Sequence, residues 1–85
     1  MYFVYILYSE KNDRFYVGHA ANLENRVLEH NSGLNFSTKP FIPWILLGFV
    51  SKKTKSEAYI LEMKIKNLSK LRKLAFIEKY CSNNR

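Results

Sequence analysis

One cysteine, Cys81, stands among 85 residues, so no internal disulfide can form. With two histidines and that single thiol, no Cys/His cluster of metal-ligand spacing exists, and the sequence offers no structural zinc site. Long apolar runs are also missing. The longest, "WILLGFV" at 44 to 50, has the length of a strand and falls far short of the roughly 18 residues that span a bilayer. The opening segment, MYFVYILYSEKNDR, lacks the basic start and small-residue cleavage site of a secretory signal. These absences predict a cytoplasmic protein with no membrane partner. Repeats and composition breaks are absent too, so the expected organisation is one domain over 1–85.

Acidic residues are scarce: seven, against 14 Lys and Arg, for a formal charge of +7. The imbalance is local. Residues 1 to 51 carry four charges of each sign, whereas residues 52 to 85 carry ten basic residues against Glu57, Glu62 and Glu78. A basic surface on one side of a small domain attracts polyanions by neutralising phosphates and releasing counterions. Nucleic acid is the leading partner class. An acidic protein partner, or simple solubility, would give the same composition. A hydrophobic content of 47%, with six Tyr, six Phe and one Trp, excludes a disordered chain and supplies a core.

Residues 2 to 8, YFVYILY, are aromatic and β-branched throughout, which predicts a strand buried on both faces. A polar turn at 9 to 14 leads to a second short apolar run, FYVG, at 15 to 18, and the two make an antiparallel hairpin. Asn22 suits the N-cap of a helix running to about Asn31, with Leu23 and Val27 on its inner face and Leu28 at the edge. Gly33 stands where a left-handed C-cap belongs. After a loop holding both prolines, WILLGFVS at 44 to 51 reads as a third strand, central and covered. Thr54-Lys55-Ser56-Glu57 fits a capping box opening a second helix with the apolar stripe Ala58, Leu61, Ile65 and Leu68. Ser69 caps a third helix with Leu71, Leu74 and Ile77 turned inward. The predicted fold class is α+β: a small three-stranded, mainly antiparallel sheet flanked by helices, in the order β-β-α-β-α-α. Cys81 reads as incidental.

Three features carry chemistry. Glu62 lies at or beside the buried stripe of the second helix, where an unpaired carboxylate is costly and needs a partner. Its ordinary reading is a stripe-edge glutamate bonded to a neighbouring lysine. Tyr5 and Tyr16 sit in the two hairpin strands, where tyrosines usually pack by their rings. Arg26 and His30 share one helix face, and such a pair is usually solvated.

Together these residues resemble the GIY-YIG nuclease family. Phe3-Val4-Tyr5 stands where the family has Gly-Ile-Tyr, and Tyr16-Val17-Gly18 where it has Tyr-Ile-Gly. Arg26 follows the second tyrosine by ten residues, at the position of the family's arginine, and His30 follows one turn later. "NLENRVLEHNSG" is similar to the "DLxxRLxxHNxG" run of small bacterial members, and "PW" at 43 and 44, "EA" at 57 and 58, and Glu62 with Lys66 also fit. The likeness covers nearly the whole chain. Three positions depart from the pattern: Phe3 replaces glycine, and His19 and Ala20 fall where family members vary.

The resemblance implies a metal-dependent endonuclease that hydrolyses phosphodiester bonds in DNA. Glu62 matches the family's metal-binding glutamate and would hold one hydrated Mg²⁺ or Mn²⁺. No small-molecule cofactor is implied. Tyr5 is the preferred base or water-orienting group with Tyr16 its neighbour, and the two roles are interchangeable at this stage. Arg26 suits a clamp on the phosphate. His30 would orient phosphate or water, or protonate the leaving oxygen, with His19 assisting. Lys64, Lys66, Lys70, Arg72 and Lys73 would hold the DNA backbone, without reading sequence, in repair or recombination. A non-catalytic nucleic-acid-binding module on the same fold and a small interaction protein with an acidic partner are the competing readings.

Overall fold

Each of the three helices begins at a short polar residue whose side chain accepts a backbone N–H. Asn22 accepts from Asn25, Thr54 from Glu57 and Ser69 from Arg72. These bonds satisfy donors that the first helical turn leaves orphaned. A computed structural model describes residues 1–81; Arg85, counted above in the basic excess, lies outside them. The helices are α1 (Leu23–Ser32), α2 (Lys55–Lys66) and α3 (Lys70–Tyr80), and the strands are β1 (Tyr2–Ser9), β2 (Arg14–Ala20) and β3 (Ile45–Lys52). Short 3-10 turns occupy Lys11–Asp13 and Lys39–Phe41. Gly33 ends α1 at φ 84°, as its position predicted.

The sheet is antiparallel at both pairings and ordered β2-β1-β3. The order overturns one expectation: β3 is an edge strand, and β1 is the central one. The apolar run at 44 to 50 is long enough for either place. The β1–β2 hairpin occupies one side of β1, and the connection from α1 brings β3 to the other. Most side chains of β3 are half-buried, Ile45 and Ser51 are exposed, and its outer edge pairs with no strand among the described residues.

The doubly buried character of β1 follows from its two unlike faces. Val4 and Ile6 join Val17, Ala58, Ile65 and Ile77 in a core beneath α2 and α3. Tyr5 and Leu7 point the other way, into a second core with Ala20 and Trp44 and the half-buried Tyr16, Leu23 and Val27.

Two further expectations change. Leu71 is 79% exposed and Leu74 is exposed as well, so of the three expected residues only Ile77 turns inward. Phe76, Ile77 and, just beyond the helix, Cys81 pack against the core, while the Lys73 ammonium donates to the Leu68 carbonyl at 2.6 Å. That bond ties α3 to the turn that follows α2. Cys81 is therefore not incidental. A Cβ placed on Gly48 of β3 would lie 2.7 Å from the Cys81 Cβ, so the missing side chain at Gly48 makes room for the end of α3.

Candidate active site

The register of the hairpin sets the site. Tyr5 pairs with Gly18 and Leu7 with Tyr16, so the two tyrosines are diagonal neighbours on one face, with ring centroids 6.2 Å apart. Gly18 is required there for space. A Cβ at that position would stand 2.6 Å from the Tyr5 hydroxyl oxygen and 2.9 Å from its Cζ. The Tyr5 ring thus lies across Gly18 and carries its hydroxyl from the central strand toward the β2 edge.

His30 projects from the last turn of α1 into the same core and is fully buried. Its Nε2 lies 3.0 Å from the Tyr5 hydroxyl and its Nδ1 2.9 Å from Thr38 Oγ1. Thr38 donates its one hydroxyl proton to the Asn35 carbonyl at 3.3 Å. Its oxygen must then accept from His30 Nδ1–H, which leaves Nε2 to accept from Tyr5 O–H. Burial, reinforced by the Arg26 charge, holds the imidazole below its ordinary pKa, consistent with a neutral ring. Burial and the neighbouring Tyr16 push the Tyr5 hydroxyl well above the usual phenol range, and Arg26 only partly offsets them. Tyr5 therefore keeps its proton in this arrangement.

Tyr16 is half-buried, with its ring 4.7 Å from His30 and 6.2 Å from Trp44. Trp44 is held in turn: its Nε1 donates to the Thr38 carbonyl at 2.9 Å, and its backbone N–H donates to Asn31 Oδ1 at 2.6 Å. Asn31, Thr38 and Trp44 escaped sequence reasoning as site residues. The quoted "HN" and "PW" pairs were the available signal. Arg26 is half-exposed on α1, and its Nε donates to Glu29 at 3.1 Å.

Glu62 comes from the other side of the sheet. It is 7% exposed, and it is more buried than Leu61 of the expected stripe. Its Oε1 lies 2.5 Å from His19 Nδ1, and its Oε2 accepts from Lys66 at 2.8 Å. Burial alone would raise its pKa; the hydrogen bonds from Lys66 and His19 outweigh burial and hold the carboxyl below its ordinary value. His19 pairs in register with Val4, so it shares the α2 face rather than the face of Tyr5. Two half-sites result, one on each face of the sheet, meeting at the edge strand β2.

The five basic residues predicted to hold DNA have different surroundings. Lys64 and Arg72 are exposed. Lys66 pairs with Glu62, Lys70 donates to Asp13 at 2.8 Å, and Lys73 is taken up by the end of α2. The larger surface groove, about 660 Å³ between α1 and the sheet, shares none of the five predicted site residues.

Among the described residues no group of three His, Cys, Asp or Glu side chains gathers as a metal cluster. The donor set fits only an ion that keeps most of its waters. Glu62 is a single carboxylate with one hydrogen bond on each oxygen, so each oxygen retains a lone pair.

An antiparallel hairpin with a tyrosine over a glycine, a buried histidine beneath and a carboxylate at the strand edge marks a small α+β domain. The GIY-YIG catalytic domain matches residues 1–75, and the chain belongs to that nuclease family. It is 36% identical over 78 residues to a UPF0213 protein of Staphylococcus haemolyticus, covering 91% of this chain and 94% of that one. It also resembles the solution NMR structure of a UPF0213 protein from Bacillus halodurans. That likeness has a TM-score of 0.57 at 28% identity and covers 92% of this chain and 84% of the other. Membership implies a DNA substrate, and nucleases of this family generally use divalent metal ions.

Proposed function

We propose that this chain is a metal-dependent endonuclease that hydrolyses phosphodiester bonds in DNA. It selects strands by shape rather than sequence and serves repair or recombination in the cytoplasm. The observation that carries the reading is the pair of side-chain clusters at the β2 edge: the Tyr5 hydroxyl donates to His30 Nε2 at 3.0 Å with the Tyr16 ring beside both, and Glu62 is held by His19 and Lys66 on the adjoining face. β1, β2 and α1 supply the first of these clusters, and β2 and α2 the second.

Glu62 would hold one Mg²⁺ or Mn²⁺, which supplies charge neutralisation and an acidified water when bound. Arg26, half-exposed, clamps the phosphate through its planar fork. Tyr16, half-buried where Tyr5 is fully buried, is the tyrosine that orients the attacking water. Tyr5, His30 and Thr38 form a positioning chain that fixes the floor beneath Tyr16. His19 orients the Glu62 carboxylate. Lys64 and Arg72 contribute to backbone attraction.

A second reading has one observation in its favour. The Lys66 ammonium already neutralises Glu62, which suits a non-catalytic nucleic-acid-binding module.

The test is cleavage of duplex, branched and single-stranded DNA with Mg²⁺, with Mn²⁺ and with chelator. Wild type is compared with Glu62→Gln and Arg26→Ala. The expected result is metal-dependent cutting of at least one substrate, reduced roughly 100-fold or more in each variant. Metal-dependent DNA binding without cutting on any substrate, in wild type and variants alike, favours the binding module.

A further inference from the structure

We propose that Tyr59 of α2 and the cavity beside it hold an unpaired nucleobase of the DNA strand being cut. The inference rests on the nuclease reading above and names the form of substrate that its site takes.

The cavity, about 420 Å³, is lined by His19, Lys55, Ser56, Tyr59 and Ile60. It begins at the Glu62 half-site: Tyr59, Glu62 and Lys66 follow one another at helical spacing, and His19 bridges Glu62 to the Tyr59 ring. The His19 and Tyr59 rings meet edge to face, with centroids 6.3 Å apart. The ring is therefore fixed next to the carboxylate, yet 53% of Tyr59 is exposed. Tyr5, by contrast, is fully buried, and Tyr16 is covered by His30 and Trp44.

The lining matches a nucleobase in kind. Tyr59 supplies an aromatic face and Ile60 an apolar flank. Lys55, exposed in the first turn of α2, supplies positive charge for the adjoining phosphate. Stacking on an aromatic side chain tolerates any base and requires that the base be out of its own stack. Within a duplex both faces of a base are covered, so this cavity favours single-stranded, frayed or branched DNA. A phosphate at the Glu62 half-site would then place the adjoining nucleotide at Tyr59.

The test measures binding of labelled oligonucleotides by anisotropy in chelator, where no cleavage occurs. Wild type, Tyr59→Phe and Tyr59→Ala are each titrated with a single strand, with the same strand carrying a central abasic run, and with a duplex. Tyr59→Ala is expected to weaken binding of the intact single strand by between about 5- and 150-fold. Tyr59→Phe should bind as wild type does, and all three proteins should bind the abasic strand and the duplex equally. An equal loss for Tyr59→Ala on intact and abasic strands overturns base stacking, and so does no loss on either. If stacking is overturned while wild type still cuts DNA with metal, the nuclease reading stands alone. If wild type neither binds nor cuts any strand, both readings fall.

Discussion

The Tyr5 ring lies directly over Gly18, so closely that the alanine methyl group at residue 18 would meet the phenol oxygen at 2.6 Å. Tyr5 is fully buried, and its hydroxyl is bonded to His30, so it has little freedom to yield.

Gly18→Ala should therefore lower stability by about 1–3 kcal/mol, the usual range for overpacking a filled core. Tyr5→Phe in the same chain should recover only part of that loss. It removes the closest atom but leaves Cζ at 2.9 Å. Urea unfolding of the two single variants and the double variant reads both effects. Two losses that simply add would contradict the contact.

Thr38→Val removes the acceptor of His30 Nδ1–H inside the core. A buried donor left without a partner costs about 1–3 kcal/mol, whereas Thr38→Ser keeps the hydroxyl and should lose much less. Loss of the Trp44 contact would be a different failure, because Trp44 bonds to the Thr38 backbone carbonyl, which neither substitution removes. Intrinsic Trp fluorescence of the folded variants should thus stay close to wild type.

Stability should depend on pH in two windows. His30 has a folded pKa below its ordinary 6.5, so the unfolded chain takes up its proton first as pH falls. Its contribution is complete above about pH 6.5 and is lost as pH falls toward the lower folded value. Glu62 is also depressed, from 4.5, and its contribution is lost in a second window below about pH 4.5. Unfolding free energies measured from pH 8 to pH 3 should show both declines. His30→Gln should flatten the upper one and leave the lower one in place.

Lys66→Met removes the ammonium from Glu62 Oε2. The Glu62 carboxyl should then titrate at higher pH, seen by carbon NMR of the side chain. Mn²⁺ should bind more tightly by up to roughly 5-fold, because an ion pair of this exposure is worth about 1 kcal/mol or less. Weaker Mn²⁺ binding would mean that Lys66 supports the ion rather than competing with it.

Burial pushes the Cys81 thiol up to about 11 from 9.0. At pH 8 the native thiol should react with a disulfide reagent about 100-fold more slowly than the urea-unfolded chain. Equal rates would mean that the end of α3 does not stay packed on Gly48.

The local elements were legible in the sequence because their signals are local. Asn22, Thr54, Ser69 and Gly33 each announce a helix end through a bond or a backbone angle within four residues. Tyr5, Tyr16, Arg26, His30 and Glu62 stood out as candidates only through their joint resemblance to the GIY-YIG pattern. Strand order was not legible. The run at 44 to 50 is apolar enough for a central strand, and only the pairing of β1 with both neighbours makes it an edge. The inward face of α3 was also hidden. Leu71 and Leu74 look like core residues on a helical wheel, but Phe76, Ile77 and Cys81 take the places against the core. The division of the site between two sheet faces follows from register, since His19 and Tyr16 have opposite parity along β2.

The bond between His30 and Thr38 links α1 to the stretch of chain that crosses to β3. That stretch displays Leu34 and Phe36 to solvent on its outer side while Thr38 on its inner side grips the imidazole. Two apolar side chains in water thus stand two to four residues from a hydroxyl set against a buried imidazole. The crossing segment is thereby two-sided: its apolar side chains face water, and its one buried hydroxyl closes the polar chain that ends at Tyr5.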